Sequence, residues 1–415
     1  MASRLCKAEA PYELSQIAVN ALRDPDVRLE LHVVPFSHYC TRARWALAAS
    51  GLDYSEVTYL PVEHMRGMAR VLASFCPHLS AGHLTRPPSL IIPSTPDVQR
   101  RFKAERCTKT ASSQSPYSVP ALAVYGAKGQ PLFLLRNSAL IARWAALRAA
   151  ARGAPPSALL YGPSLEVASA GADKTGTAEG DGKFLVAGGD NYYRSVSEME
   201  LRLSNGVGIE VRRLIYFYLL PSTLLGANLF RRNARGPLGC TLWWFWYFVA
   251  RVMIPKFLKI NATTAARGLQ LLMSEFDYFD ALIAKREAEV AADAGGGGNG
   301  VSSGASGTVG AVAGAPAKAP LPFYLCGSVL SAADVSLATL AGPLVQLPPG
   351  CDAGRYYLPP PAQLPAPLRD VVAALTVRPT GQYIIRLWEA HGIALMAAGT
   401  SGGGGVAAHK PASRL

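Results

Sequence analysis

Residues 29–48 read LELHVVPFSHYCTRARWALA, and the first domain is organised around this stretch. The apolar run Leu29–Phe36 is typical of a short β-strand that breaks at Pro35, and the segment after it is typical of an α-helix. Ser37 and Cys40 therefore stand three residues apart, where a strand passes into a helix N-terminus. The unpaired N–H groups and positive dipole of that end stabilise a thiolate placed against it. The turn is a candidate site for sulfur chemistry, and the residues at those two positions decide which chemistry is available.

The composition is that of a folded protein with two basic regions. The 415 residues, 50% of them hydrophobic, suffice for two domains with cores of their own. The net charge of +13 is concentrated in residues 65–118 and 211–260, each with eight Lys or Arg residues, and the second range has no acidic residue. Neither range has the aromatic–basic pattern of an RNA-binding sheet or the spacing of a zinc finger, so we expect no nucleic-acid partner.

The cysteines and the N-terminus indicate a reducing compartment. The seven cysteines are scattered, odd in number and without a C-x-x-C pair. Cys76, His78 and His83 lack a fourth ligand, so we expect no metal. Residues 1–27 carry four acidic residues and no apolar core of a secretory signal. These features predict a cytoplasmic protein, with an organelle as the alternative.

Two uncharged segments, residues 214–230 and 236–250, raise the question of a membrane. They contain 17 and 15 residues, fewer than the ~20 apolar residues that span a bilayer. We expect both to be buried helices of a helical domain. Attachment to a membrane surface through the Trp-rich segment and its basic flanks is the alternative.

The order of elements predicts an α/β domain followed by an all-helical domain. The first begins with a βαβ unit and continues with a β-hairpin built from residues 118–124 and 131–135. Ser195-x-x-Glu198 predicts a capping box that opens a helix over 195–220. The predicted units, in chain order, are an N-terminal extension (1–27), the α/β domain (28–149) with an insertion at 65–115, a low-complexity linker (150–190), the all-helical domain (191–398) with a flexible insertion at 290–320, and a disordered tail (399–415).

Four motifs resemble those of the glutathione S-transferase family. They are FSHYCTRARWALAASGLDY (36–54), SVPALAV (118–124), RNSALIARW (136–144) and YLCGSVLSAADVSLATLAGPL (324–344). The resemblance implies a thioredoxin-like N-terminal domain, an all-α C-terminal domain, glutathione as co-substrate and a homodimer. The insertions lie outside it.

The resemblance gives Ser37 the role of the hydroxyl that donates to the glutathione sulfur. A hydrogen bond to the charged form lowers the pKa of the thiol, so more thiolate is present to attack an electrophile. Compared with the redox branches of the fold, the turn has lost its first cysteine and keeps only Cys40. We interpret Cys40 as a small buried residue, with a redox role as the alternative.

Four further residues are implied in glutathione binding. A cis bond before Pro120 would present the backbone of Val119 to an extended tripeptide. Ser138, in the first turn of a helix, would hold the γ-glutamyl carboxylate, or serve as a plain N-cap. The family usually has Glu or Asp before this serine to bind the α-amine, and here Asn137 stands there without a charge.

Ser331 and Asp334 resemble the family's structural N-capping box, whose loss should cost about 1–2 kcal/mol of folding free energy. The sequence thus predicts a glutathione transferase acting on an electrophilic small molecule. The alternatives are a non-catalytic, metaxin-like binding or membrane-associated protein of the same fold, and a glutaredoxin-like thiol transferase that uses Cys40.

Overall fold

The structure is a computed structural model, and it describes the part of the chain that carries the sheets and most of the helices. The described residues are 12–14, 16–75, 91–93, 118–155, 159–162, 165–170, 183–188, 191–234, 236–295, 321–347 and 359–392. The strands are β1 (Tyr12–Leu14), β2 (Arg28–Val33), β3 (Ser55–Thr58), β4 (Ile91–Pro93), β5 (Ala121–Tyr125), β6 (Pro131–Arg136), β7 (Leu165–Ala170) and β8 (Lys183–Gly188). The α-helices are α1 (Gln16–Arg23), α2 (His38–Ala49), α3 (Glu63–Phe75), α4 (Ser138–Ala151), α5 (Asn191–Arg202), α6 (Gly208–Leu219), α7 (Thr223–Asn233), α8 (Gly236–Phe257), α9 (Ala262–Gly295), α10 (Ala332–Ala341), α11 (Ala366–Thr376) and α12 (Pro379–Leu387).

A five-stranded mixed sheet with the order β3-β2-β5-β6-β4 forms the centre of the first domain. β2 and β3 are parallel because α2 carries the chain back across the sheet, whereas β5 pairs antiparallel with both β2 and β6. β5 and β6 form the predicted hairpin, and Gly129 takes the left-handed φ of 75° that its turn requires. This βαβ unit followed by a hairpin confirms the thioredoxin-like fold.

The two faces of the sheet carry side chains of different size. On β5, Leu122 and Val124 belong to the large core under α2 and α4, whereas Ala121 and Ala123 belong to a smaller cluster with α3. Successive strand residues point to opposite faces, so the alternation of Ala with larger residues sets how closely each helix layer approaches. α2 and α4 therefore cover one face and α3 covers the other.

The helical domain packs directly onto the first domain. Every residue of α10 is buried, and its core is continuous with that of the sheet. Trp45 of α2 meets Trp388 in an edge-to-face contact with ring centroids 4.6 Å apart. The N-terminal sheet and the all-helical part that follows confirm the predicted fold class.

The start of the helical domain differs from the predicted capping box. α5 begins at Asn191, so Ser195 lies inside it and its hydroxyl donates to the carbonyl of Asn191 at 2.8 Å. The prediction of a box at Ser195 and Glu198 was wrong, because the Ser-x-x-Glu pattern also fits a helix interior. A π-helical segment, Leu203–Val207, then joins α5 to α6.

Several regions predicted as an extension, a linker or an insertion contain helices or strands. Within the expected N-terminal extension, α1 packs against α4, and the Arg148 guanidinium donates to the carbonyl of Asp24 at 2.8 Å. Within the expected linker, β7 and β8 pair with each other, and β8 also pairs with β1. α3, β4 and the end of α9 fall within the two expected insertions, whereas residues 296–320 and the tail 399–415 lie outside the described residues.

The uncharged segments of the second domain form α6, α7 and α8. Among the described residues, no helix combines the length and the apolar character needed to cross a bilayer. The prediction that residues 236–250 form a buried helix holds for only one side of α8, since Trp244 and Phe248 are half exposed.

Candidate functional site

The sheet register brings three segments with candidate site residues to the same end of the first domain. His32, near the end of β2, pairs with Ala121 at the start of β5, and Ala121 also pairs with Arg136 at the end of β6. The turn at Ser37 follows β2, Val119–Pro120 precedes β5, and Asn137–Ser138 follows β6. The predicted site residues of the first domain therefore lie at the same end of the sheet, although they are separated by up to about a hundred positions in sequence.

Ser37 is the N-cap residue of α2, but its hydroxyl does not cap the helix. Its backbone is extended, with φ −80° and ψ 120°, and its carbonyl accepts the first helical hydrogen bond from the amide of Thr41 at 3.0 Å. The side chain is partly exposed and makes no hydrogen bond to the helix N-terminus. The amide groups of the first turn are thus left without a cap from this side chain.

The Ser37 hydroxyl acts on a sulfur atom within this chain. Burial dominates and raises the pKa of the Cys40 thiol to about 11, while the charge of Arg44 and then the hydrogen bond from Ser37 act in the opposite direction. Cys40 is fully buried, so at neutral pH it is an inaccessible thiol. The geometry agrees with a small buried core residue at this position.

His38 and Tyr39 tie the turn to the helical domain. The buried His38 ring lies 2.9 Å from the carbonyl of Gly208 through Nε2, and the Tyr39 hydroxyl donates to the carbonyl of Ser204 at 3.0 Å. Burial and, to a smaller extent, the nearby charge of Arg212 lower the pKa of His38 to about 3, so the ring is neutral and donates through Nε2. Sequence analysis missed the role of His38, because its partner is 170 positions away.

The segment before β5 has the predicted cis peptide bond between Val119 and Pro120. The carbonyl of Pro120 accepts a hydrogen bond from the amide of Asn137 at 3.4 Å, which joins this segment to the start of α4. Val119 is partly exposed, and among the described residues its backbone makes no hydrogen bond. Its backbone groups are available to an extended ligand.

At the start of α4, Asn137 and not Ser138 is the N-cap. Its Oδ1 accepts a hydrogen bond from the amide of Ala139 at 2.9 Å, and its φ of 115° is unusual for a residue other than glycine. Ser138 follows as the first helical residue, and it is buried. The side chain expected to meet an α-amine is therefore engaged in capping the helix.

A capping box forms at the start of α10. The Ser331 hydroxyl accepts from the amide of Asp334, and the Asp334 carboxylate accepts from the amide of Ser331 at 2.9 Å. The same carboxylate also accepts from the amide of Leu325 at 2.9 Å and from the Tyr383 hydroxyl at 2.7 Å. Both box residues are fully buried, so the motif joins three segments of the helical domain.

A buried charged cluster between the domains was not predicted. The Glu200 carboxylate lies 3.1 Å from the Arg42 guanidinium and 2.9 Å from that of Arg143, and it accepts from the Tyr161 hydroxyl at 2.8 Å. Arg42 also donates to the Ser204 hydroxyl at 2.6 Å. The arginines on α2 and α4 could have signalled buried partners, because their neighbours in those helices are apolar. The sequence did not identify the acid.

No set of three metal-ligating side chains lies together among the described residues. The candidate ligands Cys76, His78 and His83 lie outside them.

Comparison with known proteins gives a family for the N-terminal part of the chain. Residues 31–73 match the family described as "Glutathione S-transferase, N-terminal domain". Among solved structures, the chain is similar to "Ure2p in Complex with S-hexylglutathione", with 10% identity, a TM-score of 0.39 and coverage of 88% of this chain and 100% of that one. No curated protein matches. The match covers residues 31–73, so this part of the chain is glutathione S-transferase-like.

Proposed function

We propose that this chain binds glutathione at the end of the sheet where Ser37, Val119 and Ser138 lie. The glutathione thiolate is then transferred to an electrophilic small molecule. The observation that carries the proposal is the state of Ser37. This partly exposed residue stands at a helix N-terminus and leaves the helix uncapped, and the hydrogen bond of its hydroxyl to Cys40 lowers the pKa of that thiol.

The chemistry follows from what a hydroxyl does beside a sulfur. A hydroxyl that donates to a thiolate stabilises the charged form, and the free amides and dipole of α2 act in the same direction. More of the bound glutathione then loses its thiol proton to solvent at neutral pH. The thiolate forms a C–S bond to the electrophile, which releases its leaving group (chloride from a chloronitrobenzene), and the serine remains unmodified. Cys40 cannot use this effect itself, because burial raises its pKa to about 11.

The remaining groups fit the other parts of a tripeptide. The backbone of Val119 can pair with an extended peptide, as an added strand pairs with a sheet edge. The Ser138 hydroxyl and the amides at the start of α4 offer donors to a carboxylate. These contacts are sequence-independent along the ligand's backbone, so the thiol and the terminal carboxylates would set the orientation of glutathione.

Two measurements test the proposal. Isothermal titration calorimetry with glutathione should show saturable binding in the millimolar range or tighter. In Ser37→Ala, the kcat for conjugation of a chloronitrobenzene substrate should fall roughly 10²-fold, because the hydrogen-bond donor to the glutathione thiolate is removed. Ser74→Ala is the matched control, because Ser74 is an exposed serine on α3.

The absence of glutathione binding by the wild type would overturn the proposal. Conjugation that is unchanged in Ser37→Ala would remove Ser37 from the catalytic role. Circular dichroism of each variant separates these results from a loss of folding.

A second candidate is a non-catalytic binding protein of the same fold, and Asn137 favours it. Its amide oxygen is occupied by the amide of Ala139 and carries no charge, so it offers an α-amine less than a carboxylate would. Under this alternative, glutathione or a similar peptide binds, but the wild type shows no conjugation above the rate of the uncatalysed reaction.

The structure disfavours the third candidate, a thiol transferase acting through Cys40. Cys40 is fully buried and its pKa is raised, whereas a redox-active thiol needs access and a lowered pKa. Disulfide exchange lost in Cys40→Ala, with Ser37→Ala unaffected, would restore it. A homodimer and a cytoplasmic location stay predictions.

A further inference from the structure

One face of α8 exposes a continuous apolar strip. Trp244, Phe245, Phe248 and Val252 are 51%, 44%, 50% and 53% exposed. At 100° per residue these four positions fall within about 100° of the helix circumference, so they lie on the same side. Scattered exposed apolar residues are ordinary, whereas three aromatic side chains on one helix face are typical of an interaction surface.

The opposite face of α8 fixes this orientation. Trp246, Tyr247 and Ala250 are buried against Leu220 and Phe230. The Tyr247 hydroxyl also donates to the carbonyl of Leu220 at 3.1 Å. Because these contacts anchor one side of the helix, α8 cannot turn its exposed aromatic side chains into the core.

The segment that contains the strip carries charge of one sign. Residues 211–260 contain eight Lys or Arg residues and no acid. Lys256 and Lys259 are exposed at the C-terminal end of α8, and Arg231 and Arg232 are exposed on α7, which packs against α8. Arg251, on the edge of the strip, contacts the Thr223 hydroxyl at 3.4 Å.

We propose that this face, defined by Trp244, Phe245, Phe248 and Val252 with the flanking lysines, docks the protein on the surface of an anionic lipid bilayer. Aromatic side chains settle at the boundary between headgroups and acyl chains, and lysines beside them reach anionic headgroups. A second copy of the chain would bring the same basic surface against this one, and the like charges would repel.

Vesicle sedimentation with the full chain tests the proposal. Vesicles of phosphatidylcholine with phosphatidylserine should bind the protein, vesicles of pure phosphatidylcholine should bind it several-fold less, and added salt should weaken the first. Trp244→Ser/Phe248→Ser should reduce binding by about tenfold or more, because two large apolar side chains no longer enter the interface. Lys256→Glu/Lys259→Glu should reduce binding only to the charged vesicles.

The control is Leu271→Ser/Val377→Ser, which removes exposed apolar side chains, 44% and 75% exposed, from α9 and the end of α11. This variant is expected to bind vesicles as the wild type does. In a separate measurement, the tryptophan fluorescence of the wild type should shift to the blue when charged vesicles are added.

Two results would overturn the proposal. One is vesicle binding that is the same in Trp244→Ser/Phe248→Ser and in the wild type. The other combines two measurements: vesicles bind neither protein, and analytical ultracentrifugation shows a dimer for the wild type and a monomer for Trp244→Ser/Phe248→Ser. That result would assign the face to a second copy of the chain. Glutathione conjugation reports on the other site, so its loss or retention does not bear on this test.

Discussion

The N-termini of α2 and α10 are built from a serine N-cap in both cases, yet they are in opposite states. At α10, the Ser331 hydroxyl accepts a hydrogen bond from the amide of Asp334, and the Asp334 carboxylate accepts one from the amide of Ser331. Both residues are fully buried. At α2, the partly exposed Ser37 leaves the helix uncapped, and its hydroxyl bonds the side chain of Cys40 instead. A closed N-terminus stabilises its own domain, whereas an open one keeps its backbone amides for a ligand. The difference therefore separates a structural motif from a candidate site.

Asp334→Ala should give the largest effect. The amides of Leu325 and Ser331 and the hydroxyl of Tyr383 would be left without their acceptor in the core, and we expect a loss of about 3–5 kcal/mol in the free energy of unfolding. Urea denaturation measures it. The control is Glu198→Ala, an exposed acid in α5, for which a change within about 0.5 kcal/mol is expected. Equal effects in the two variants would contradict the closed state of the α10 N-terminus.

His38 joins the open N-terminus to the helical domain and should make stability depend on pH. Its pKa is about 3 in the folded protein, against the ordinary 6.5 of a solvated histidine, so the unfolded chain binds the extra proton first as the pH falls. The stability present above pH 6.5 is then lost through the window from 6.5 towards 3, by about 1.4 kcal/mol per pH unit or about 2 kcal/mol by pH 5.

His38→Gln tests this pH dependence, because glutamine can donate to the carbonyl of Gly208 without titrating. Urea denaturation from pH 7 to 5 should show a smaller slope in this variant than in the wild type. His64→Gln is the parallel control: burial lowers the pKa of His64 to about 4, so its replacement should remove a comparable part of the slope. Equal slopes in His38→Gln and in the wild type would show that His38 is not held neutral.

Ser331→Ala and Ser37→Ala sharpen the comparison directly. The first removes a cap that the helix uses and should cost about 1–2 kcal/mol, whereas the second removes a hydroxyl that does not cap the helix and should cost less than about 0.5 kcal/mol. Urea denaturation at pH 7 measures both values. Ser195→Ala, in the helix interior where a box was expected, should also change stability by less than about 0.5 kcal/mol. A cost in Ser37→Ala as large as that in Ser331→Ala would show that α2 is capped as well.

Asn137→Asp should give the smallest effect. A carboxylate keeps the cap on the amide of Ala139 and meets the positive end of α4, so the free energy of unfolding should rise by about 0.3–1 kcal/mol. The same charge should tighten glutathione binding several-fold in calorimetry, because an α-amine gains a charged partner. Asn137→Ala is the contrasting variant and should lose stability. Weaker glutathione binding in Asn137→Asp would contradict the placement of the α-amine beside this residue.

Much of the fold could be predicted from local patterns. The run before Pro35 and the hairpin at 118–135 have the periodicity and turn residues of strands, and the spacing of Ser331 and Asp334 is that of a capping box. The same reasoning failed at Ser195, because a four-residue pattern does not say where a helix begins. It also assigned residues 150–190 to a linker, although they contribute β7 and β8, since strands rich in small residues lack a strong apolar signal.

The local sequence was enough to predict the order of elements, the serine beside a helix N-terminus and the missing charge at Asn137. What these residues meet became known from the folded chain alone. In the folded chain His38 bonds Gly208, Arg42 and Arg143 both contact Glu200, and one side of α8 is exposed. These outcomes depend on contacts between segments far apart in sequence, and burial in such contacts is what sets the pKa of a thiol or an imidazole.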